Sequence, residues 1–126
     1  MARLQPLIVE LRRNIETFAL SAVFSQLNEE DLTELSASVE NLREACQEKN
    51  LGQVVEHDMA FHRYLVEASG NADLLAVWLP IVSRMMLHYS RHEDLLDSYR
   101  EHAEIVDAIR VGDQERAVSA LLATIQ

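Results

Sequence analysis

Apolar residues recur at three- and four-residue steps along most of this chain, which is the spacing of one face of an α-helix. In the first segment, from about Leu7 to Gln26, the apolar stripe consists of Leu7, Leu11, Ile15, Phe18, Ala19, Ala22 and Val23. The polar face of that segment carries Glu10, Arg13 and Glu16. The pattern therefore predicts an amphipathic first helix that buries its apolar stripe and exposes those charges.

Capping and turn residues divide the remainder of the chain into further helices. Asn28 precedes a run of acidic residues, which favours a helix start there. Gly70 and Gly112 suit helix ends, and Pro80 predicts a kink or break near Val77–Leu79 because it lacks an amide donor. The predicted elements are Leu7–Gln26, a helix capped by Asn28 and running to about Lys49, Gln53–Ala68, a helix from the Asn71 cap to about His88, a charged connector at Tyr89–Asp94, Leu95–Arg110, and a last helix capped by Asp113. Residues 1–126 thus form, by prediction, one all-α antiparallel bundle of about six helices.

Charge and composition narrow the classes of function. The chain has 11 Lys+Arg against 21 Asp+Glu, a formal net charge of −10. This charge repels phosphate backbones, so we expect no contact with nucleic acid by this chain alone. The single cysteine, Cys46, cannot form an internal disulfide, and we find neither a secretory signal nor an apolar run long enough to span a membrane. The expected setting is the cytoplasm.

Four polar residues fall inside the predicted apolar stripes, where burial costs several kcal/mol unless a partner satisfies them. Asp58 and His62 lie one turn apart on the third helix, His102 lies on the inward face of the fifth, and Thr124 lies on that of the sixth. A carboxylate and an imidazole at this spacing can converge on one cation. The pattern predicts a shared polar site in the bundle interior.

Simpler interpretations of the same residues remain open. Asp58 and His62 could form an ordinary helical ion pair, and His102 could be a satisfied core histidine. His88 and His92 are also four residues apart, but their charged surroundings favour an exposed pair over a metal site.

The chain carries several short motifs in a fixed order. They are Arg12-x-x-Ile15-Glu16, Asp58-x-x-Phe61-His62, Ala68-Ser69-Gly70-Asn71, Glu101-His102-x-x-Ile105-x-x-Ala108-Ile109 and Gly112-Asp113. Together they resemble the effector-binding C-terminal domain (FCD) of FadR-type regulators in the GntR family of bacterial transcription factors. The resemblance covers nearly the whole chain.

This resemblance implies a helical bundle that holds a small-molecule pocket, often with a divalent metal bound by one aspartate and three histidines. Asp58, His62 and His102 match three of those ligands, and Zn or Ni are the metals we expect. Thr124 stands where the family normally has its last histidine. A three-ligand site can still hold a metal with water or an effector carboxylate completing the shell, but we expect a lower affinity.

The resemblance further implies a ligand-sensing regulatory domain and not an enzyme. We expect a small organic acid as effector, a homodimer, and DNA contact through a winged helix-turn-helix domain that this chain lacks. The candidate effector contacts are Arg12, Arg84 and Thr124, with an arginine pairing the effector carboxylate. Two alternatives stay open: a metal-dependent enzyme built on the Asp/His/His site, and a helical dimerisation module that senses nothing.

Overall fold

The computed structural model describes residues 5–86 and 94–126. Its described residues form the helices α1 (Gln5–Val23), α2 (Glu29–Gln47), α3 (Leu51–Ala68), α4 (Ala72–Met86), α5 (Leu96–Val111) and α6 (Gln114–Ala123), with a 3₁₀ turn at Phe24–Gln26. The predicted all-α bundle is confirmed. The end of the fourth helix at His88, most of the Tyr89–Asp94 connector and the His88/His92 pair lie outside the described residues.

Capping side chains begin the helices where the sequence predicts them. Asn28 accepts a hydrogen bond from the amide of Asp31, whose side chain accepts from Asn28 in return, so α2 starts with a complete capping box. Asp113 caps α6 in the same way by accepting from the amide of Arg116. Gly112 ends α5 with a left-handed φ of 77°, a backbone conformation that glycine adopts without strain.

Helices α1 and α3 each pack against three other helices. α3 packs against α1, α2 and α4, while α5 packs against α2 and α6. The larger core cluster combines side chains of α1, α2, α3, α5 and α6, and a second cluster joins α1, α3 and α4 around Trp78. His62 and His102 are buried beside Phe61 of the larger cluster, whose ring makes edge-on contacts with both imidazoles.

The inward face of α1 differs from the prediction. Its buried residues are Ile8, Arg12, Glu16, Ala19, Leu20 and Val23, whereas Leu7 is 55% exposed, Leu11 38% and Phe18 61%. Assigning Glu16 to the outer face was therefore wrong. Glu16 lies inside because His62 of α3 and Trp78 of α4 form hydrogen bonds to its carboxylate there.

Of the kink or break predicted at Pro80, the break is absent. The helix continues from Ala72 to Met86 with Pro80 inside it. The carbonyl that loses its partner belongs to Ala76, four residues earlier, and both Ala76 and Pro80 are exposed. Water can satisfy that carbonyl, so the missing bond costs less here than it would in the core. None of the described helices combines the length and the apolar character needed to cross a membrane.

Candidate metal centre

Two helices bring three ligand-type side chains to one point. α3 carries Asp58 and His62 one turn apart, on the face that also buries Phe61 and Leu65. α5 carries His102 on its buried face, next to Ile105 and Val106. Among the described residues, Asp58, His62 and His102 form the group whose ligand atoms lie close enough to hold one metal ion. The structure thus brings together the three residues that the sequence indicated as metal ligands.

The donor atoms of this group nearly touch. The Oδ1 atom of Asp58 lies 2.8 Å from Nε2 of His102 and 3.2 Å from Nε2 of His62. The two Nε2 atoms are 3.0 Å apart. All three side chains are buried, so one carboxylate oxygen and two ring nitrogens meet away from water.

In each imidazole, Nδ1 forms a hydrogen bond outside the group, and Nε2 faces the other two donor atoms. His102 donates its Nδ1–H to the carbonyl oxygen of Ser98, 2.7 Å away and one turn earlier on α5. His62 donates its Nδ1–H to Oε1 of Glu16 on α1. A proton held at Nδ1 puts the lone pair of a neutral ring on Nε2, the atom that would bind a metal.

Glu16 is the site residue that the sequence analysis missed. It is fully buried, and its second oxygen, Oε2, accepts from Nε of Arg12 at 2.8 Å and from Nε1 of Trp78 at 2.9 Å. Helices α1, α3 and α4 therefore meet at one carboxylate. The signal in the sequence was the Arg12-to-Glu16 spacing of one turn, which allows the two charges to neutralise each other inside the bundle.

The charges of the site shift the acidities of its members. Burial opposes ionisation of Asp58, but His102 and His62 outweigh it and hold the pKa of Asp58 well below its usual range. Burial would also raise the pKa of Glu16, yet His62 and Arg12 lower it to about 2. Burial acts to lower the pKa of His62, and the Glu16 and Asp58 carboxylates raise it on balance. Both carboxylates are therefore anionic at neutral pH.

The donor set fits a divalent transition metal. One carboxylate and two imidazoles are ligands that zinc and nickel accept. Bonds of about 2.0–2.2 Å in a tetrahedral site separate neighbouring donors by about 3.3–3.6 Å, and the three donors here are 2.8, 3.0 and 3.2 Å apart. A small outward movement of the side chains would accommodate an ion.

The other three predicted site residues have different surroundings. Arg12 is buried and adjoins the site through Glu16. Thr124 is buried at the end of α6, where its hydroxyl donates to the carbonyl of Leu121 at 2.6 Å. Arg84 is exposed and lines a groove between α1 and α4. The structure therefore does not bring Arg84 to the Asp58 group.

Comparisons with known proteins agree with this architecture. The family model described as the FCD domain matches residues 7–126. The HTH-type transcriptional repressor NanR of Escherichia coli (strain K12) is 35% identical over 78 residues, which cover 57% of this chain and 30% of the relative. NanR of Salmonella newport (strain SL254) is 36% identical over 73 residues, covering 53% of this chain and 28% of that protein. The match thus spans less than a third of either relative.

Two solved structures share the fold. The metal-free FCD domain of TM0439 superposes with a TM-score of 0.81 at 25% identity, covering 98% of this chain and 86% of that one. The E. coli protein McbR/YncC gives a TM-score of 0.89 at 19% identity, covering 100% of this chain and 62% of that one, which shows the fold alone. The resemblance that the sequence motifs indicated is confirmed. The chain belongs to the FCD domain family, the effector-binding regulatory domain of GntR-type transcriptional regulators.

Proposed function

We propose that this domain senses a small organic acid through a divalent metal ion held by Asp58, His62 and His102. The observation that carries the proposal is the convergence of one carboxylate oxygen and two imidazole nitrogens in the buried core. A metal ion there would act as a Lewis acid that binds an anionic effector. The surrounding side chains orient the ligands and exclude water.

We propose that the effector or a water molecule completes the metal shell. Thr124 occupies the sequence position of the usual last histidine, and its hydroxyl proton is already donated to the Leu121 carbonyl. A site with three protein ligands keeps a position open for an exogenous ligand. The same feature predicts a weaker metal affinity than a four-ligand site would have.

Arg12 is our candidate for the effector carboxylate. It is 4% exposed, its Nε donates to Glu16, and its Nη1 lies 3.9 Å from the thioether sulfur of Met85. Among the described residues, its Nη2 has no hydrogen-bond partner. A buried guanidinium with donors to spare suits an anion, because Arg binds carboxylates through two parallel hydrogen bonds.

The metal half of the proposal is tested by titrating the metal-stripped protein with Zn²⁺ or Ni²⁺ in a calorimeter. We expect one ion per chain and at least a 100-fold weaker affinity in Asp58→Ala. Asp73→Ala, at an exposed position on α4, is the control and should bind as the parent does. Absence of binding to the parent protein, or equal binding by Asp58→Ala, would overturn the metal assignment.

The effector half is tested by thermal shift with a panel of small carboxylates added to the metal-loaded protein. We expect a stabilising acid whose effect is lost in Arg12→Ala and kept in Arg63→Ala. Arg63 is the matched control because it also pairs with a glutamate one turn later, but on the surface. An acid that stabilises Arg12→Ala as strongly as the parent would refute the role of Arg12.

We also propose that the domain forms a homodimer through an apolar face of α1 and α4. Leu7, Leu11 and Phe18 of α1 are exposed, as is Val77 of α4 at 53%, and the two helices pack side by side. Leu7 and Leu11 line one groove with Pro80 and Ile81 of α4, and exposed apolar side chains that lie together mark an interaction surface. Sedimentation equilibrium should show a dimer that Phe18→Asp dissociates, while Val111→Asp, at an exposed position on α5, leaves it intact.

In this proposal, DNA contact belongs to a separate winged helix-turn-helix domain of a cytoplasmic regulator. Metal and effector would bias the packing of the bundle, because a ligand shifts an equilibrium only by its differential affinity for the two states. The matched relatives carry the name of transcriptional repressors, which favours sensing over catalysis. We assign no turnover to the site.

A further inference from the structure

We propose that Glu16 is a positioning residue that fixes the tautomer and the ring orientation of His62. The inference rests on the proposed metal site, since it concerns which nitrogen of His62 is available as a ligand. It adds a residue on α1 to a centre whose ligands all come from α3 and α5.

The chemistry of the contact determines where the proton lies. Oε1 of Glu16 faces Nδ1 of His62, and an ionised carboxylate can only accept hydrogen bonds. Nδ1 must therefore carry a proton. Nε2 of His62 faces Asp58 and His102. In the charged ring this nitrogen also carries a proton, which Asp58 accepts; in the neutral ring with its proton on Nδ1, it carries the lone pair that would bind a metal.

The position of the Glu16 carboxylate is itself fixed from two sides. Its other oxygen accepts hydrogen bonds from Arg12 and from Trp78 at 2.8 and 2.9 Å, and the side chain is fully buried. A carboxylate held by two donors cannot rotate away from His62 without losing both bonds. The orientation of the imidazole is therefore set by a rigid acceptor.

The two histidines differ in what sets their tautomers. His102 donates to the Ser98 backbone carbonyl of its own helix, which no side-chain substitution removes. His62 depends on a side chain from another helix. Only one of the two tautomers in the site can therefore be inverted by changing a single acceptor.

Glu16→Gln would invert that tautomer while keeping the shape of the side chain. In Glu16→Gln, an amide NH₂ that faced Arg12 and Trp78 would meet two hydrogen-bond donors, whereas an NH₂ that faced His62 would meet one. The second orientation is therefore favoured. His62 can relieve that single conflict by moving its proton from Nδ1 to Nε2, where Oδ1 of Asp58 accepts it. The lone pair then points at the amide and away from the metal position.

The first test uses ¹⁵N NMR of the His62 ring in the metal-free protein, at a pH alkaline enough to make that ring neutral. We expect the Nδ1–H form of His62 in the parent and the Nε2–H form in Glu16→Gln. The control is Glu67→Gln, which changes the exposed glutamate of the similarly spaced Arg63–Glu67 pair. Its spectrum should be the same as that of the parent. Trp78→Phe keeps the carboxylate and should also keep the Nδ1–H form.

The second test measures Zn²⁺ affinity by calorimetry. Loss of a partner that orients a ligating histidine lowers metal affinity by about 10- to 100-fold, and we expect that loss for Glu16→Gln but not for Glu67→Gln. A parent His62 in the Nε2–H form would overturn the inference even if Glu16→Gln did not fold. So would a Glu16→Gln protein with parental tautomer and affinity. A parent that binds no zinc but shows the Nδ1–H form would contradict the proposed metal site and leave the role of Glu16 intact.

Discussion

At the scale of single residues, the indole of Trp78 holds the Glu16 carboxylate from the side opposite His62. Its Nε1–H donates to Oε2 at 2.9 Å in a buried environment. A hydrogen bond to a charged group contributes about 1.5–3 kcal/mol. We therefore expect Trp78→Phe to lower the free energy of unfolding by about that amount, measured by urea denaturation followed by circular dichroism.

A double-mutant cycle identifies the source of that loss. In the Glu16→Gln background the charged acceptor is gone, so Trp78→Phe should cost markedly less than it does in the parent. An equal cost in both backgrounds would mean that lost ring packing, and not the hydrogen bond, explains the effect.

Asp58, His62 and His102 could be predicted because each is a polar residue in an otherwise apolar stripe. Glu16 could not be predicted in the same way. The competing stripe on the first helix contains large apolar residues such as Leu7, Leu11 and Phe18, and counting apolar residues favours it. The partners that make Glu16 stable inside, Trp78 and His62, come from helices that are distant in sequence. Local periodicity contains no information about such partners.

At the scale of helices, Arg13 ties the end of α6 to α1. Its Nη1 donates to the carbonyl oxygens of Leu122 and Ile125 at 2.9 and 2.7 Å. These carbonyls lie in and just after the last turn of α6, where no backbone N–H of the same helix is available to them. Arg13→Ala should lower the free energy of unfolding by about 1–3 kcal/mol and speed amide exchange in the last turn of α6.

The control for that prediction is Arg43→Ala. Arg43 pairs with Glu40 on the exposed face of α2, and exposed ion pairs contribute about 0–1 kcal/mol. If both substitutions destabilised the protein equally, the carbonyl contacts of Arg13 would not be the cause.

A second inter-helix contact predicts an alkaline limit to stability. The hydroxyl of Tyr64 on α3 donates to Oδ1 of Asp31 on α2 at 2.6 Å. Burial, and then the hydrogen bond to Asp31, raise the pKa of Tyr64 above its usual range. The folded state thus favours the protonated phenol, so this stabilisation is complete below the unfolded pKa of about 10 and is lost as the pH rises above it.

We expect the unfolding free energy to fall above about pH 10 and to fall less steeply in Tyr64→Phe. The difference between the two proteins should be about 1–3 kcal/mol at neutral pH. A Tyr99→Phe protein serves as the comparison. A parallel alkaline decline in the parent and in Tyr64→Phe would exclude Tyr64 as the titrating group.

The limits of most helices could be predicted because their signals are local. Asn28, Asp113 and Gly112 act on backbone groups within one turn, and the structure confirms all three. Whether Pro80 would break α4 or leave it continuous could not be decided from local signals. It depends on the exposure of the one carbonyl that the proline leaves without a donor, and exposure is a property of the packed bundle.

At the scale of the whole molecule, the proposed metal ion would link α3 to α5. Asp58 and His62 lie on one helix and His102 on the other. A ligand that binds only the folded state stabilises it by about 2.7 kcal/mol at a free concentration of 100 times Kd. Zn²⁺ should therefore raise the melting temperature reversibly, with the shift removed by a chelator.

The same experiment on Asp58→Ala separates specific from general effects. That variant lacks a ligand and should show no shift at the zinc concentration that saturates the parent. A shift of equal size in Asp58→Ala would show that zinc acts elsewhere on this acidic chain, whose net charge is −10.

Trp78 is the one tryptophan of the chain, it is 1% exposed, and its ring nitrogen bonds to the carboxylate that contacts both Arg12 and His62. All indole emission of the protein therefore originates beside the candidate site. Fluorescence intensity or wavelength should respond when a ligand rearranges Glu16, so unlabelled protein can be used to screen compound collections optically.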